Sequence, residues 1–113
     1  MPERRFRVIW SGAADDDVAR LSSWLASESP DDATALLARL RRRAGSLRAQ
    51  LGRGRVVPEL AFIGIVHLRE VVERPHRIVY RIAERTALIL GVFDGRRELE
   101  DVLLERLIAP LDL

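Results

Sequence analysis

Two neighbouring runs between residues 77 and 93 constrain the fold of this chain more than any other feature. In the first run, RIVYRI, two sets of side chains alternate: Ile78, Tyr80 and Ile82 on one side, and Arg77, Val79 and Arg81 on the other. This period of two is typical of a half-buried strand. A polar turn at residues 84–86 leads into ALILGVF (residues 87–93), whose continuous apolar character indicates a strand covered on both faces or at the centre of a sheet. The stretch therefore predicts a β-hairpin, and two arginines follow it at residues 96–97.

The remaining elements follow from apolar spacing and capping residues. They are predicted as a strand in residues 5–10, a helix from the cap Ser11 to about residue 27, a helix from Pro30 to about residue 51, a strand within residues 65–72 and a terminal helix in residues 99–108. The short connector between the two helices makes them antiparallel neighbours. The predicted order is β-α-α-β-β-β-α. This is an α+β fold, a helical hairpin packed on a mainly antiparallel sheet, in a single domain spanning residues 1–113.

The charge of the chain is unevenly distributed. The formal net charge is only +2, yet all 19 basic residues are arginines and no acid occurs between Ala33 and Pro58. Seven arginines fall in that segment: Arg39, Arg41, Arg42, Arg43, Arg48, Arg53 and Arg55. This asymmetry fits an anionic partner, either a nucleic acid or an acidic protein segment. A solvated helix face explains it equally well.

Several classes of protein are excluded by composition. The absence of cysteine excludes disulfides, thiolate catalysis and cysteine-ligated metal. No apolar run approaches the roughly 18 residues of a membrane span, and the N-terminus lacks the apolar core of a signal peptide. We therefore expect a cytoplasmic protein without a membrane partner.

Few residues could carry acid–base chemistry. His67 and His76 are the only imidazoles, and no metal-binding histidine spacing occurs, so we expect neither a metal nor another cofactor. Arginine can clamp a phosphate but is a poor general base, because it stays protonated at any working pH. A nuclease would have to recruit His67, Glu70, His76 or Tyr80. Each of these residues also has an ordinary structural explanation in a strand.

Together these segments resemble the RelE/ParE superfamily of bacterial type II toxin–antitoxin toxins. The similar segments, in the correct order, are VIWSGAADDDVARL (residues 8–21), GRVVPE (54–59), LRE (68–70), RIVYR (77–81) and GRR (95–97). The resemblance covers nearly the whole chain. It implies the β-α-α-β-β-β-α order that the residue patterns predict independently.

The superfamily has two biochemical branches. RelE-like members cleave messenger RNA on the ribosome by 2′-hydroxyl attack, whereas ParE-like members inhibit DNA gyrase and trap cleaved DNA. Arg77 and Arg97 match arginines that RelE-like enzymes place on the phosphate. Other positions depart from that pattern: Ile65 and His67 stand where further basic residues are expected, and Leu103 stands where a C-terminal tyrosine is expected. The resemblance therefore favours a non-enzymatic, growth-arresting gyrase inhibitor over an endoribonuclease acting with ribosome and mRNA, while an inactive toxin kept as an antitoxin-binding module stays open.

The resemblance, together with the predicted hairpin, nominates three sets of residues. The target- or phosphate-binding arginines are Arg69, Arg77, Arg81, Arg96 and Arg97. The catalytic candidates, for the ribonuclease alternative only, are Arg77, Arg97, His67, His76 and Tyr80. A cognate antitoxin is expected on apolar residues of the helices, namely Leu21, Trp24, Leu25, Leu36, Leu40, Leu103 and Leu107. A homodimer and a hetero-oligomer with the antitoxin both remain open.

Overall fold

The computed structural model describes residues 5–95 and Arg106. The elements, in chain order, are β1 (Arg7–Trp10), α1 (Gly12–Glu28), α2 (Pro30–Gly45), β2 (Arg55–Val56), α3 (Pro58–Ala61), β3 (Leu68–Glu73), β4 (His76–Ala83) and β5 (Thr86–Asp94). The predicted α+β class and order of strands and helices are confirmed, and the short elements β2 and α3 are additional. The predicted terminal helix lies outside the described residues except for Arg106, which is helical.

In the described part of the chain, five strands form one sheet in the order β1-β5-β4-β3-β2. β1 is parallel to β5, and every other neighbouring pair is antiparallel. β5 therefore has a strand on each side along its first half. Its apolar run is continuous because both faces are covered: Ile89 and Val92 pack in one core, and Leu88 and Phe93 pack in the other. Between β4 and β5 the register shifts: Val79 lies opposite Gly91, and Tyr80 lies opposite Ile89. Leu90 is skipped, as in a β-bulge.

Each face of the sheet has its own core. On one face, α1 and α2 pack on Ile78, Tyr80 and Ile89. On the other, Leu60 of α3 packs with Val79 and other apolar residues. The prediction of a half-buried β4 was therefore wrong, because α3 covers the face that carries Val79.

Ile82 also departs from its predicted place on the buried face. It is 38% exposed, although Ile78 and Tyr80 on the same side of the strand are fully buried. The reason is its position: Ile82 pairs with Ala87 near the tip of the hairpin, one pair before the turn.

A serine caps each of the two long helices: Ser11 was predicted as a cap, whereas Ser29 was not. Ser11 accepts a hydrogen bond from the Ala14 N–H at 3.1 Å, and Ser29 accepts one from the Asp32 N–H at 3.3 Å. The prediction that the second helix continues to residue 51 was wrong. It ends at Gly45 and is followed by 3-10 turns at Ser46–Arg48 and Leu51–Arg53.

The early end of α2 has a local cause. The Ser46 hydroxyl donates to the Arg43 carbonyl oxygen at 2.7 Å, which offers the backbone an alternative to the next helical turn. Leu47 and Leu51 still reach the core through the 3-10 turns, so the apolar spacing was right where the helix was not.

Candidate functional site

A network of two carboxylates and two arginines lies on the α3 face of the sheet. Arg77 donates through Nε to Glu70 at 2.6 Å and through its two terminal nitrogens to both oxygens of Glu59, at 2.5 and 2.7 Å. Arg55 lies opposite Glu70 in the strand register and donates to its second oxygen at 2.8 Å. Both oxygens of Glu70 are therefore occupied, and Arg77 joins β4, β3 and α3.

Hydrogen bonding, acting against burial, holds this network in its charged state. The side chain of Glu70 is fully buried, and that of Arg77 is 9% exposed. The hydrogen bond from Arg77 lowers the pKa of Glu59, and the same bond, opposed by burial, raises the pKa of Arg77. Two negative charges balance two positive ones. The network is thus well suited to fixing α3 on the sheet, and Arg77 has little capacity left to bind a phosphate.

Tyr80 is enclosed on the opposite face. Its hydroxyl donates to the Leu51 carbonyl oxygen at 2.6 Å and accepts from the Gly54 N–H at 2.9 Å. Burial raises the pKa of Tyr80. A Cβ on Gly54 would lie 2.7 Å from the tyrosine ring and 2.4 Å from the Glu70 carbonyl oxygen, so only glycine fits there. The phenol therefore ties the 3-10 turns to the sheet and has no path to a substrate.

The two histidines lie at opposite ends of the β3–β4 hairpin. His67 directly precedes β3, whereas His76 pairs with Glu73 at the other end of that strand. A rise of about 3.3 Å per residue separates these ends by about 16 Å or more. The two imidazoles therefore cannot act together on one reacting group.

The nominated arginines do not share one surface. Arg77 and Arg81 lie on the α3 face, because their strand positions have the same parity. Arg69 pairs with Tyr80 and so lies on the opposite face, where it donates to the Gly54 carbonyl oxygen at 2.8 Å. Arg96 and Arg97 lie outside the described residues. A role in target binding stays a prediction for these arginines.

The residues nominated for antitoxin binding separate by exposure. Leu36 and Leu40 are buried in the core beneath α2 and offer no surface to a partner. Trp24 is 70% exposed, and Leu21 and Leu25 beside it on α1 are half-buried. Residues three and four apart on a helix form one surface, so these three side chains are adjacent. Leu103 and Leu107 lie outside the described residues.

Sequence reasoning missed a second charged cluster, at the edge of β5. The buried Asp17 accepts a hydrogen bond from the Val92 N–H at 3.0 Å and contacts Arg106 through both carboxylate oxygens, at 3.2 and 3.3 Å. Arg106 also donates to the Leu90 carbonyl oxygen at 2.8 Å. A signal was present: Asp17 falls on the same helical face as Ala14 and Val18, which are buried.

Neither a metal site nor a membrane-spanning helix is found in residues 5–95 or at Arg106. No cluster of three or more histidine and acidic side chains there could hold a metal ion. No helix in the same part of the chain is long and apolar enough to cross a bilayer.

Solved structures share this fold. The chromosomal ParDE TA system from P. aeruginosa contains a chain with a TM-score of 0.65 and 16% identity, over 81% of this chain and 98% of that chain. The toxin–antitoxin complex RelBE2 from Mycobacterium tuberculosis contains one with a TM-score of 0.56 and 21% identity, over 82% of this chain and 94% of that chain. At this identity the likeness concerns the fold, and the fold defined by the helical hairpin and sheet is the RelE/ParE fold.

A family comparison assigns the chain within that fold class. The model of the ParE toxin of the type II toxin–antitoxin system, parDE, matches residues 8–99. No curated protein sequence matches the chain. The chain therefore belongs to the family of ParE toxins of type II toxin–antitoxin systems.

Proposed function

We propose that this toxin arrests growth by inhibiting DNA gyrase in the cytoplasm and that a cognate antitoxin neutralises it. The observation that carries the proposal is the pairing of Arg77 with Glu59 and Glu70. In a ribonuclease of the RelE type, this arginine position would hold the scissile phosphate. Here two carboxylates bind the guanidinium, and displacing them would leave the buried Glu70 with Arg55 as its one remaining partner among residues 5–95.

The placement of the acid–base residues supports the same proposal. RNA cleavage by 2′-hydroxyl attack needs a group that removes one proton and a group that delivers another. Tyr80 is buried with its hydroxyl engaged at both hydrogen-bonding positions, and the two histidines lie at opposite ends of a hairpin. Inhibition by binding requires none of these groups.

The test is a supercoiling assay with purified gyrase and the full chain free of antitoxin. We expect loss of supercoiling together with accumulation of cleaved DNA. If the folded wild-type chain leaves gyrase unaffected and cleaves mRNA on ribosomes, the gyrase proposal is wrong. If it does neither and does not arrest growth, the chain is an inactive antitoxin-binding module.

The antitoxin proposal rests on the exposed apolar surface of α1. The solved structures with this fold come from a ParDE TA system and a RelBE2 toxin–antitoxin complex. In this chain, Trp24 has most of its side chain exposed next to Leu21 and Leu25. A large exposed aromatic side chain with apolar neighbours is a typical anchor for an amphipathic partner helix. We therefore place the antitoxin on this surface of α1.

A further inference from the structure

A basic pocket lies where the end of α2 meets the outer strands of the sheet. Its volume is about 510 Å³, and its lining residues are Arg43, Arg55, Val72, Glu73 and Arg74. Three of these five residues are arginines. None of the three is among the arginines that the sequence resemblance nominated for phosphate binding.

The arginines of this pocket retain hydrogen-bond donors for a ligand. Nε of Arg43 lies 3.5 Å from Oε1 of Glu73, a distance that is long for a hydrogen bond. Arg55 has a side chain that is 63% exposed and directs Nε and one terminal nitrogen to Glu70. Its other terminal nitrogen has no hydrogen-bond partner among residues 5–95. Arg74 is exposed and has no ion-pair partner within residues 5–95. Each arginine can therefore donate to a further anion.

The local charge is positive even when the neighbouring acids are counted. Nε of Arg39 lies 3.8 Å from Oε2 of Glu73, so Glu73 is an ion-pair partner of both Arg39 and Arg43. Four arginines, at positions 39, 43, 55 and 74, therefore surround two carboxylates, at positions 70 and 73. One of these carboxylates, Glu70, is fully buried and does not face an incoming ligand.

We propose that this pocket binds the phosphates of duplex DNA. Arginine presents a planar set of donors that matches phosphate geometry. Val72 is the one apolar residue that the described part of the chain contributes to the lining, so an amphipathic acidic peptide would find little surface there on which to bury its apolar side chains. Among the described residues, no aromatic side chain lines the pocket, so they offer no platform on which single-stranded bases could stack. Contact with the phosphate backbone of a duplex needs only the arginine side chains that the pocket presents.

The choice of DNA rests on the proposed action on gyrase, whose substrate is duplex DNA. The location of the anion site does not depend on that proposal. A toxin that also contacts DNA would remain attached to the cleaved complex through two partners, which would slow its release.

The test is fluorescence anisotropy of a labelled, random-sequence DNA duplex titrated with the full chain in the absence of gyrase. We expect Arg43→Gln and Arg74→Gln each to weaken binding about two- to fivefold, as for loss of an exposed ion pair. The slope of log affinity against log salt should become shallower by about 0.9 for each phosphate that the variant no longer neutralises. Arg5→Gln, at an exposed arginine outside the pocket, is the control and should change neither quantity.

Glu73→Gln provides a test with the opposite sign. Removing this carboxylate raises the pocket charge by one, so we expect DNA to bind about two- to fivefold more tightly. A variant that merely damaged the fold would weaken binding instead. Unchanged affinity and salt slope in the Arg74→Gln variant, which removes no ion pair within residues 5–95, would overturn the proposal.

Two further outcomes discriminate among ligands and between proposals. If polyglutamate binds more tightly than the duplex and depends on the same arginines, the pocket is a site for an acidic protein segment and the DNA proposal is wrong. Arginine-dependent DNA binding without any effect on supercoiling would support the pocket and contradict the gyrase proposal. Inhibition of gyrase without arginine-dependent DNA binding would support the gyrase proposal and contradict the DNA-binding pocket.

Discussion

At the scale of single residues, the character of Arg77 is set by its neighbours. An exposed arginine on a strand would be able to bind a phosphate. Here Glu59 and Glu70 accept hydrogen bonds from all three of its nitrogens, and its side chain is 9% exposed. A buried ion pair contributes little when intact, yet it costs much when broken, because the remaining charge is left without a partner.

Removing the arginine head group should therefore destabilise the fold strongly. We expect Arg77→Met to lower the free energy of unfolding by about 3 kcal/mol or more, as for other broken buried pairs. Urea unfolding followed by tryptophan fluorescence measures this change. Arg81→Met is the matched control, on the same face of the same strand and half-buried, with no ion pair within residues 5–95. Equal destabilisation of the two variants would contradict the role of the network.

The network also predicts a pH dependence. The pKa of Glu59 is lowered in the folded state by its hydrogen bond with Arg77. The stabilisation is therefore fully present above the ordinary pKa of a glutamate, about 4.3, and is lost as pH falls through the lower folded value. We expect the urea midpoint to decline below about pH 4.3. Glu59→Gln should flatten that decline, and an identical pH profile in the variant would argue against this assignment.

The pKa of Tyr80 can be measured directly from its absorbance, because it is the single tyrosine in the chain. Burial raises its pKa above the ordinary value. Alkaline titration of the phenolate absorbance should therefore give a midpoint above about 10 in the folded chain, and one near 10 in urea. A folded midpoint at or below 10 would mean that the hydroxyl is open to solvent.

At the scale of elements, the edge of β5 shows how side chains replace a missing strand. β1 covers β5 from Thr86 to Ile89, and β5 continues to Asp94 without β1 beside it. There the Asp17 carboxylate accepts the Val92 N–H, and Arg106 donates to the Leu90 carbonyl oxygen. An exposed edge of this kind invites pairing with another chain, and the two side chains protect it.

Loss of the Asp17 charge should open this edge. We expect Asp17→Asn to lower the free energy of unfolding by about 1–3 kcal/mol, since it weakens buried hydrogen bonds to a charged acceptor. Amide hydrogen exchange should show reduced protection of the Val92 N–H. Asp16→Asn is the control, because Asp16 is exposed on the same helix and should change stability by no more than about 0.5 kcal/mol. Similar effects of the two substitutions would refute the edge role.

At the scale of the whole molecule, two cores enclose the sheet from opposite sides. The helical hairpin covers one face, and α3 with its apolar contacts covers the other. Charged side chains within this arrangement pair with one another, while Trp24 and the arginine pocket remain on the outside. The surfaces available to partners are therefore those that remain exposed once the two cores are packed.

Trp24 should accordingly matter to binding and not to folding. We expect Trp24→Ala to weaken the complex with the cognate antitoxin by about 2 kcal/mol or more, roughly 30-fold, as for a central aromatic anchor. Its urea midpoint should stay close to that of the wild type, because 70% of the side chain is already exposed. Isothermal titration measures the affinity, and the exposed neighbour Ser23→Ala serves as the control. Unchanged affinity would remove the antitoxin from this part of α1.

The sequence by itself determined the class and order of the elements. Apolar periodicity, the Ser11 cap and the hairpin signal are local properties, and local properties are sufficient to place β1, α1, β3, β4 and β5. They failed where a competing local bond intervened, as at Ser46, or where coverage came from a distant segment, as on the α3 face of β4.

Only the tertiary structure decided which charged residues are free. Arg77 and Arg74 are indistinguishable as letters, yet one is held by carboxylates 7 and 18 residues away and the other is exposed. Ion pairing and burial depend on distances between segments far apart in the chain, and no local pattern encodes these distances. The fold of this toxin was therefore readable from its sequence, whereas the surfaces available to its partners were not.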